Sequence, residues 1–203
     1  MAYLVLIRHG ESVWNAKGLW TGWTDVDLSE KGREEARNAG KVITQIHFDQ
    51  AFTSLLKRAQ QTLDEIKKVL GYDIPTISDI ALNERNYGDL TGKNKWDIQK
   101  EFGQEQFQKW RRGWDEHIEN GETLKDVYER VVPFYQNIIL SYLEKGENVL
   151  IAAHGNSLRA LVKYLDNIGD TDIAKVEIAT GEVLIYQIDQ QGKVISKEIK
   201  STT

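Results

Sequence analysis

Two histidine–glycine pairs in this chain each follow a short apolar run, and their placement implies chemistry. The first run ends in Arg8-His9-Gly10, and the second ends in His154-Gly155, with the histidines 145 residues apart. Short apolar runs without polar alternation predict strands that are buried on both faces of a parallel sheet. Because open α/β sheets bind ligands at the carboxyl ends of their strands, we expect both histidines at one pocket.

The residues around His9 are suited to phosphoryl chemistry. Arg8 offers a planar fork of N–H donors that matches the oxygens of a phosphate group. Neighbouring cations disfavour the imidazolium form of His9, so a neutral ring nitrogen is free to attack phosphorus. Gly10 is expected to let backbone and ligand approach closely, because a side chain there would block the ligand. A structural histidine at a strand end remains the alternative for either pair taken alone.

Alternating strand and helix patterns predict the elements that position these residues. Strands are predicted over 3–8, 50–54, 74–80, 148–153, 183–188 and 194–199, with Pro75 favouring an edge strand and the last two forming a hairpin. Helices are predicted from the cap Ser29 to Ile46, from Ala59 to Leu70, from Thr123 to Leu143 with a kink at Pro133, and from Leu158 to Leu165. Residues 82–121 lose this rhythm, which predicts loops and short helices laid over the sheet.

These patterns predict one α/β domain over residues 1–203. Its expected architecture has three layers, with a mostly parallel central sheet flanked by helices. An irregular cap segment is expected over the carboxyl ends of the strands, because long irregular segments in compact domains are usually functional.

The composition argues against several classes of protein. A formal net charge of −5 opposes a nucleic acid or an anionic membrane surface as the main partner. The apolar runs reach only about half a dozen residues, against the ~20 that cross a bilayer, and no secretory signal is expected. The absence of cysteine excludes disulfides and thiolate chemistry, and it fits a cytoplasmic protein. Cations clustered in an acidic chain indicate a small anionic ligand.

Several longer motifs narrow the interpretation, and they are spread over nearly the whole chain. They are Arg8-His9-Gly10-Glu11-Ser12, Thr21-Gly22-Trp23, Leu56-Lys57-Arg58-Ala59, Leu82-Asn83-Glu84-Arg85-Asn86-Tyr87-Gly88, Asn94-Lys95, Trp110-Arg111-Arg112-Gly113 and His154-Gly155-Asn156-Ser157-Leu158-Arg159-Ala160-Leu161. In these motifs the chain resembles the histidine phosphatase superfamily, and within it the 2,3-bisphosphoglycerate-dependent phosphoglycerate mutases. The first and last motifs indicate the superfamily, and the middle motifs indicate the mutases.

The resemblance implies a role for each motif residue. His9 is implied to be the nucleophile that becomes phosphohistidine, and Glu84 is implied to be the general acid or base. The cradle of the transferred phosphoryl group is implied to consist of Arg8, Arg58 and His154. Contacts to substrate or cofactor are implied for Ser12, Asn15, Thr21, Gly22, Arg85, Tyr87, Lys95, Arg111, Arg112, Gly155 and Asn156.

Lys95, Arg111 and Arg112 discriminate between activities within this superfamily. A plain phosphatase holds one phosphoryl group, whereas a bisphosphoglycerate user must also hold a second phosphate and a carboxylate. On residue type alone these cations would form a solvated basic face. Their agreement with the mutase motifs, in a net-acidic chain, favours a binding role instead.

The resemblance implies interconversion of 3-phosphoglycerate and 2-phosphoglycerate, primed by 2,3-bisphosphoglycerate. Two alternatives stay open, namely a phosphomonoester phosphatase of the same superfamily and a binding module for phosphorylated ligands without catalysis. No metal is expected, since no local metal-ligand spacing appears and arginines near the motif histidines repel cations. His47 and His117 fall outside every motif and are interpreted as surface histidines.

Two departures from longer mutases bear on assembly and on water exclusion. Residues 115–122 are shorter than the corresponding segment, which leaves a monomer or a homodimer as the expected assembly. The chain stops at Thr203, soon after the last predicted strand. Since exclusion of water protects reactive intermediates, the resemblance implies easier loss of the phosphoryl group to water.

Overall fold

The computed structural model describes residues 1–200, whose strands form one six-stranded sheet. The strands are β1 (Ala2–Arg8), β2 (Gln50–Thr53), β3 (Thr76–Ser78), β4 (Val149–Ala153), β5 (Val183–Ile188) and β6 (Val194–Lys200). Their spatial order is β3-β2-β4-β1-β5-β6, in which β1 to β4 are parallel and β5 and β6 form an antiparallel hairpin at one edge. The predicted α/β architecture with a mostly parallel sheet is confirmed, including the edge position of β3.

Helices connect the parallel strands. They are α1 (Val13–Ala16), α2 (Glu30–Lys41), α3 (Lys57–Leu70), α4 (Lys95–Arg112), α5 (Leu124–Phe134), α6 (Leu140–Glu144) and α7 (Gly155–Leu165). Short 3₁₀ turns lie at Ile80–Leu82, Gly88–Leu90 and Ile173–Lys175. The hydroxyls of Ser29 and Thr123 accept backbone N–H groups at the starts of α2 and α5, which satisfies donors that have no partner within the helix.

Strand β1 explains why the sheet has an apolar core on each face. Leu4 and Leu6 pack into the cluster that contains the apolar residues of α5 and α7. Val5 and Ile7 point the opposite way and pack against α2 and α3. All four side chains are fully buried, so burial of each stabilises the fold by about 1.5–3 kcal/mol. A central strand of this kind carries no polar alternation, as predicted.

Helix α2 is shorter than the sequence pattern predicts. It ends at Lys41, whereas the apolar spacing continues to Ile46. Beyond the helix, the N–H of Ile43 donates to the Gly40 carbonyl and that of Ile46 donates to the Ile43 carbonyl. These bonds span three residues, so tight turns preserve the helical spacing of apolar residues after the α-helix has ended.

The segment 82–121 contains more helix than predicted. Helix α4 runs for 18 residues from Lys95 to Arg112, although loops and short helices were expected there. It is interrupted at Gly103, where φ is 83° and ψ is 161°, so two shorter helical pieces meet at a kink. Glycine adopts this left-handed φ without steric cost, and the remainder of the segment forms loops and 3₁₀ turns as predicted.

The predicted interruption at Pro133 takes the form of a wider helical turn. Helix α5 passes directly into a π-helical turn over Tyr135–Ile139 and then into α6. Proline has no N–H to donate and its ring crowds the preceding turn, which displaces the regular bond pattern. The run from Thr123 to Leu143 is therefore one helical segment, as the apolar pattern predicts.

None of the helices within residues 1–200 combines the length and the apolar character that crossing a membrane requires. Thr203, on which the expectation about water exclusion depends, lies outside the described residues.

The loop after β1 packs against the first turn of α2 at very short range. A Cβ atom on Gly10 would lie 2.0 Å from the carbonyl oxygen of Gly32, and one on Gly32 would lie 2.0 Å from that of Glu11. The N–H of Ser29 also donates to the Glu11 carbonyl at 2.8 Å. Gly10 is therefore required by backbone packing on α2, and the close approach of ligand expected there stays a prediction.

We expect Gly32→Ala to destabilise the fold. Alanine normally stabilises a helix relative to glycine by about 0.4–1 kcal/mol, but overpacking costs about 1–3 kcal/mol. Since the 2.0 Å contact is with backbone, no side-chain rotation relieves it. The cost of overpacking therefore exceeds the gain in helix stability. Urea denaturation should show a lower free energy of unfolding.

The control for this prediction is Gly169→Ala. A Cβ atom there would meet only the Asp172 carboxylate, at 3.6 Å, which is ordinary contact. Its free energy of unfolding should stay within about 1 kcal/mol of the parent protein. A Gly32→Ala protein as stable as the parent would contradict the close approach.

Candidate active site

The pairing of β1 with β4 brings the two motif histidines together. These strands are parallel neighbours, with Arg8 opposite Ala153, and the N–H of His9 donates to the Ala153 carbonyl at 2.9 Å. The rings of His9 and His154 lie with their centroids 4.9 Å apart, and both side chains are buried. The predicted juxtaposition of the histidines is therefore confirmed.

The hydrogen bonding of His9 leaves one ring nitrogen available as a nucleophile. Its Nδ1 lies 2.7 Å from the Gly10 carbonyl oxygen. A carbonyl oxygen only accepts hydrogen bonds, so Nδ1 carries the proton and Nε2 bears a lone pair. Burial, together with the charges of Arg58 and Arg8, lowers the pKa of His9 well below its usual range. The ring therefore stays neutral at physiological pH, as a nucleophile must.

Ser54 holds the second histidine, and the motif analysis did not identify it. Its Oγ lies 2.7 Å from His154 Nε2 and accepts the N–H of Leu56. If the hydroxyl donates its one proton to Nε2, the proton of His154 resides on Nδ1. Nδ1 is buried and has no hydrogen-bond partner among the described residues, so it offers a donor to an anion.

An open cleft of about 660 Å³ lies beside the histidines, and its lining is rich in cations. Most residues implied as ligand contacts line it, namely Arg8, His9, Asn15, Thr21, Gly22, Arg58, Glu84, Tyr87, Lys95, Arg111, Arg112, Gly155 and Asn156. Because the whole chain is net acidic, this cluster focuses a positive field on the cleft.

Arg8 and Arg58 are held in place by hydrogen bonds that their guanidiniums donate to backbone carbonyls. Arg8 donates to the carbonyl of Ile178, and Arg58 donates to those of Gly22 and Thr24 at 2.8 and 3.0 Å. The Nε atoms of both arginines are buried without a partner among the described residues. Burial lowers the pKa of Arg58 to about 10, so it remains a cation at neutral pH. These unpartnered Nε–H groups are suited to donate hydrogen bonds to an anion such as a phosphoryl group.

Glu84 is oriented by three donors that converge on one of its oxygens. Oε1 accepts the N–H of Arg85 at 2.8 Å, and both the N–H and the side-chain amide of Asn156 at 3.1 Å. The same amide donates to the Tyr87 hydroxyl at 2.7 Å. With Oε1 fully engaged, Oε2 is the oxygen left to exchange a proton with a reacting group.

Arg130 fixes the segment that carries Glu84, and no motif contained it. Its guanidinium donates to the carbonyls of Ala81, Asn83 and Glu84 at 2.6 to 3.1 Å, and it pairs with Glu122 at 2.9 Å. The signal in the sequence was weak, because Arg130 lies on α5, a helix predicted for its apolar spacing alone. A buried network of this kind holds an irregular segment rigid without β-pairing.

The second group of cations comes from the two ends of α4. Lys95 is its first residue, and Arg111 and Arg112 are its last two. Burial, with contributions from Arg111 and Arg8, lowers the pKa of Lys95 to about 8. Crowding of positive charge is unfavourable unless an anion lies among the cations, so this end of the cleft is also suited to a negatively charged group.

Three residues of the implied site do not line the cleft, namely His154, Arg85 and Ser12. His154 is buried beside His9. Arg85 is fully buried and donates to the carbonyls of Glu122, Trp110 and Glu116, which links its segment to the last turn of α4 and to the loop that follows. Ser12 is buried at the start of α1, where it exchanges hydrogen bonds with Asn15. Arg85 and Ser12 thus hold neighbouring backbone in place, and the ligand contacts implied for them stay predictions.

His9, Glu84 and His154 also have a spacing that is compatible with a metal ion. Their ligand atoms lie within 4.8 Å of one another, a proximity that no local sequence spacing could reveal. The lining that includes Arg8 and Arg58 opposes a bound cation through like-charge repulsion. The chemistry of the site therefore favours an anion, and the expectation of metal independence stays a prediction.

The chain belongs to the histidine phosphatase superfamily (branch 1), whose family model matches residues 4–199. It is 49% identical over 199 residues to a 2,3-bisphosphoglycerate-dependent phosphoglycerate mutase of Mesorhizobium japonicum, with 97% of each chain covered. It is 50% identical to a phosphoglycerate mutase of Schizosaccharomyces pombe, over 97% of this chain and 94% of that protein.

Solved structures share the fold at lower sequence identity. Bacillus stearothermophilus YhfR superposes with a TM-score of 0.84 at 28% identity, covering 96% of this chain and 94% of that one. The α-ribazole phosphatase from Shigella flexneri superposes with a TM-score of 0.81 at 27% identity, covering 99% and 97%. The same scaffold thus occurs in proteins named as mutases and in a protein named as a phosphatase.

We expect Ser54→Ala to change the tautomer of His154. If the Ser54 hydroxyl, whose Oγ lies 2.7 Å from Nε2, donates to that nitrogen, ¹H–¹⁵N spectra of the imidazole in the parent protein should show the proton on Nδ1. Without the hydroxyl, the Nε2–H form should become populated. Thr53→Val is the control, since that hydroxyl is equally buried but donates to the Ala152 carbonyl. An Nε2–H tautomer in the parent protein would refute the assignment.

The buried histidines also predict how stability depends on pH. Burial and Arg58 depress the pKa of both His9 and His154 in the fold, so below pH 6.5 the unfolded chain binds more protons. The free energy of unfolding should therefore decrease as pH falls below 6.5, by up to about 1.4 kcal/mol per pH unit for each histidine. Denaturant titrations between pH 7 and 5 measure this decline.

The His9→Asn variant should show a shallower decline, because one proton-linked group has been removed. The matched control is His117→Asn, in which the side chain replaced is 74% exposed. Equal slopes for the His9→Asn and parent proteins would contradict a neutral, buried His9.

Proposed function

We propose that the protein interconverts 3-phosphoglycerate and 2-phosphoglycerate through a phosphohistidine at His9. The observation that carries this proposal is the presence of two cationic groups in one cleft. Arg8 and Arg58 lie with the nucleophile, and the cations at the ends of α4 line the same cleft. A phosphoglycerate carries a phosphate and a carboxylate, so two cationic groups match its two negatively charged ends. The identity to named mutases supports the same activity.

In the proposed transfer, the chain's own residues account for each bond and proton. His9 Nε2 forms the N–P bond as the bond between phosphorus and the substrate oxygen breaks. Glu84 Oε2 delivers a proton to the leaving oxygen, while Arg8, Arg58 and His154 stabilise the negative charge on the transferred group. This step follows an earlier one, in which phospho-His9 of the primed protein gives its phosphoryl group to the free hydroxyl of 3-phosphoglycerate as the N–P bond breaks. Glu84 accepts the hydroxyl proton in that earlier step and later delivers it to the leaving oxygen.

The cleft fits 2,3-bisphosphoglycerate, the cofactor that the mutase activity implies. Unpartnered buried donors at Arg8, Arg58 and Thr21 would hold one phosphate, and Lys95, Arg111 and Arg112 would hold the remaining anionic groups. When bound, this cofactor supplies the phosphoryl group that primes His9. The charge distribution of the cleft supports this assignment, because a plain phosphate ester would give Lys95 and Arg111 no anionic group to bind.

A phosphomonoester phosphatase is the second candidate, favoured by the similarity to the Shigella flexneri protein. The same His9, Glu84 and His154 would serve, with water as the acceptor of the phosphoryl group. The Lys95, Arg111 and Arg112 group argues against it, because hydrolysis of a simple monoester does not require these cations.

The remaining properties belong to the same proposal. We propose one domain over residues 1–203, acting in the cytoplasm on small anionic phosphoglycerates as a monomer or homodimer. The negative net charge of −5 supports a protein without a nucleic-acid or membrane partner.

The experiment that tests the proposal measures phosphorylation of His9 and the dependence of isomerisation on 2,3-bisphosphoglycerate. Trace 2,3-bisphosphoglycerate should switch on isomerisation of 3-phosphoglycerate and leave acid-labile phosphate on the protein. His9→Ala should abolish both, because it removes the nitrogen that accepts the phosphoryl group in this proposal. His117→Ala, at an exposed site, should retain both.

Two further arms separate the alternatives. EDTA should leave turnover unchanged, since no step in the proposal uses a metal. Hydrolysis of phosphate esters without isomerisation would replace the mutase by the phosphatase, and binding without turnover would favour the non-catalytic module. Isomerisation by His9→Ala would overturn the phosphohistidine route.

A further inference from the structure

Glu177 is an acidic residue in a rim that is otherwise cationic, and the proposed reaction gives it no role. The cleft is lined by the carboxylates of Glu84 and Glu177, while its lysine and arginine side chains outnumber them. Glu84 is buried, whereas the side chain of Glu177 is 61% exposed. The negative charge of Glu177 thus lies at the exposed rim of a cleft whose other charges favour anions.

The carboxylate of Glu177 is bound to one of the cations that the substrate would use. Its Oε1 accepts a hydrogen bond from Nη2 of Arg112, whose own side chain is mostly buried. That hydrogen bond is the largest cause that lowers the pKa of Glu177, with smaller contributions from Arg111 and Arg8. Glu177 therefore remains ionised at neutral pH, and it lies within the field of the cations at both ends of the cleft.

The backbone around Glu177 is anchored, so only its side chain is free to move. The Val176 carbonyl accepts from Nη1 of Arg112 at 3.3 Å, and the Ile178 carbonyl accepts from Arg8. The side chain of Ile178 is buried in the core. Rotation of the Glu177 side chain would release Nη2 of Arg112 without moving either carbonyl, so the guanidinium would keep its position.

We propose that Glu177 determines specificity by competing with the distal anionic group of the substrate for Arg112. The inference rests on the proposed function, which places the carboxylate of a phosphoglycerate at this end of the cleft. An anion that binds Arg112 competes with the Glu177 carboxylate for the charge of the guanidinium and for its Nη2 donor, so Glu177 weakens the binding of ligands with two anionic groups. A ligand with only a phosphate, held by Arg8 and Arg58, does not compete with Glu177.

The test compares two ligands on the full-length protein and its Glu177→Gln variant. Calorimetry measures the Kd of 3-phosphoglycerate and of glycerol 3-phosphate, which has the same carbon skeleton but no carboxylate. Removing an exposed ion pair should lower the Kd of 3-phosphoglycerate by about two- to fivefold. The Kd of glycerol 3-phosphate should not change.

Two further variants establish that the effect runs through Arg112. Glu198→Gln removes the same charge from an ion pair whose acid is 63% exposed, on β6, and should leave both affinities unchanged. In an Arg112→Gln background, Glu177→Gln should no longer tighten the binding of 3-phosphoglycerate.

Each contrary result overturns the proposal. An unchanged or higher Kd for 3-phosphoglycerate would make Glu177 a support for Arg112 instead of its competitor. An equal gain for glycerol 3-phosphate, or a gain that persists in the Arg112→Gln background, would indicate a general field effect. Turnover of 3-phosphoglycerate by the parent protein is assayed separately, so failure of the proposed function is distinguishable from failure of this inference.

Discussion

The in-register parallel pairing of β1 and β4 is the constraint on which the rest of the site depends. It places Arg8 opposite Ala153, so the residues that follow both strands emerge at one edge of the sheet. A shift of one residue in either strand would reverse the direction of every side chain along it. The apolar cores on the two faces of the sheet oppose such a shift. The same burial that stabilises the fold thus fixes the spacing of His9 and His154.

The electrostatic environment gives the histidines and the arginines of the site different charge states. Burial and neighbouring arginines keep the imidazoles of His9 and His154 neutral, whereas the guanidiniums of Arg8 and Arg58 remain charged. Backbone carbonyls hold these two guanidiniums, and neither of them forms a salt bridge with a carboxylate among residues 1–200. Such a site is preorganised for an anion, because its donors already point to where negative charge would lie.

The sequence predicts the mostly parallel sheet and most of the residues that line the cleft, because these depend on local apolar patterns and on contiguous motifs. It does not reveal Ser54, Arg130 or Glu177, which act through contacts between residues distant in the chain. Arg85 shows the converse, since it lies in a motif beside Glu84, yet its guanidinium links that segment to the last turn of α4 and to the loop that follows. The reason for Gly10 likewise lies in the packing of α2. Local pattern predicts which elements form, whereas tertiary contacts decide what each side chain does.

The break in α4 sets the dimensions of the cleft. A straight helix rises 1.5 Å per residue, so the 16 steps from Lys95 to Arg111 would separate their backbones by about 24 Å. Both residues nevertheless line the same cleft, because the chain bends at Gly103. The bend at Gly103 therefore sets the distance between the cations at the two ends of α4. That distance determines how far apart the negative charges of a bound ligand can be.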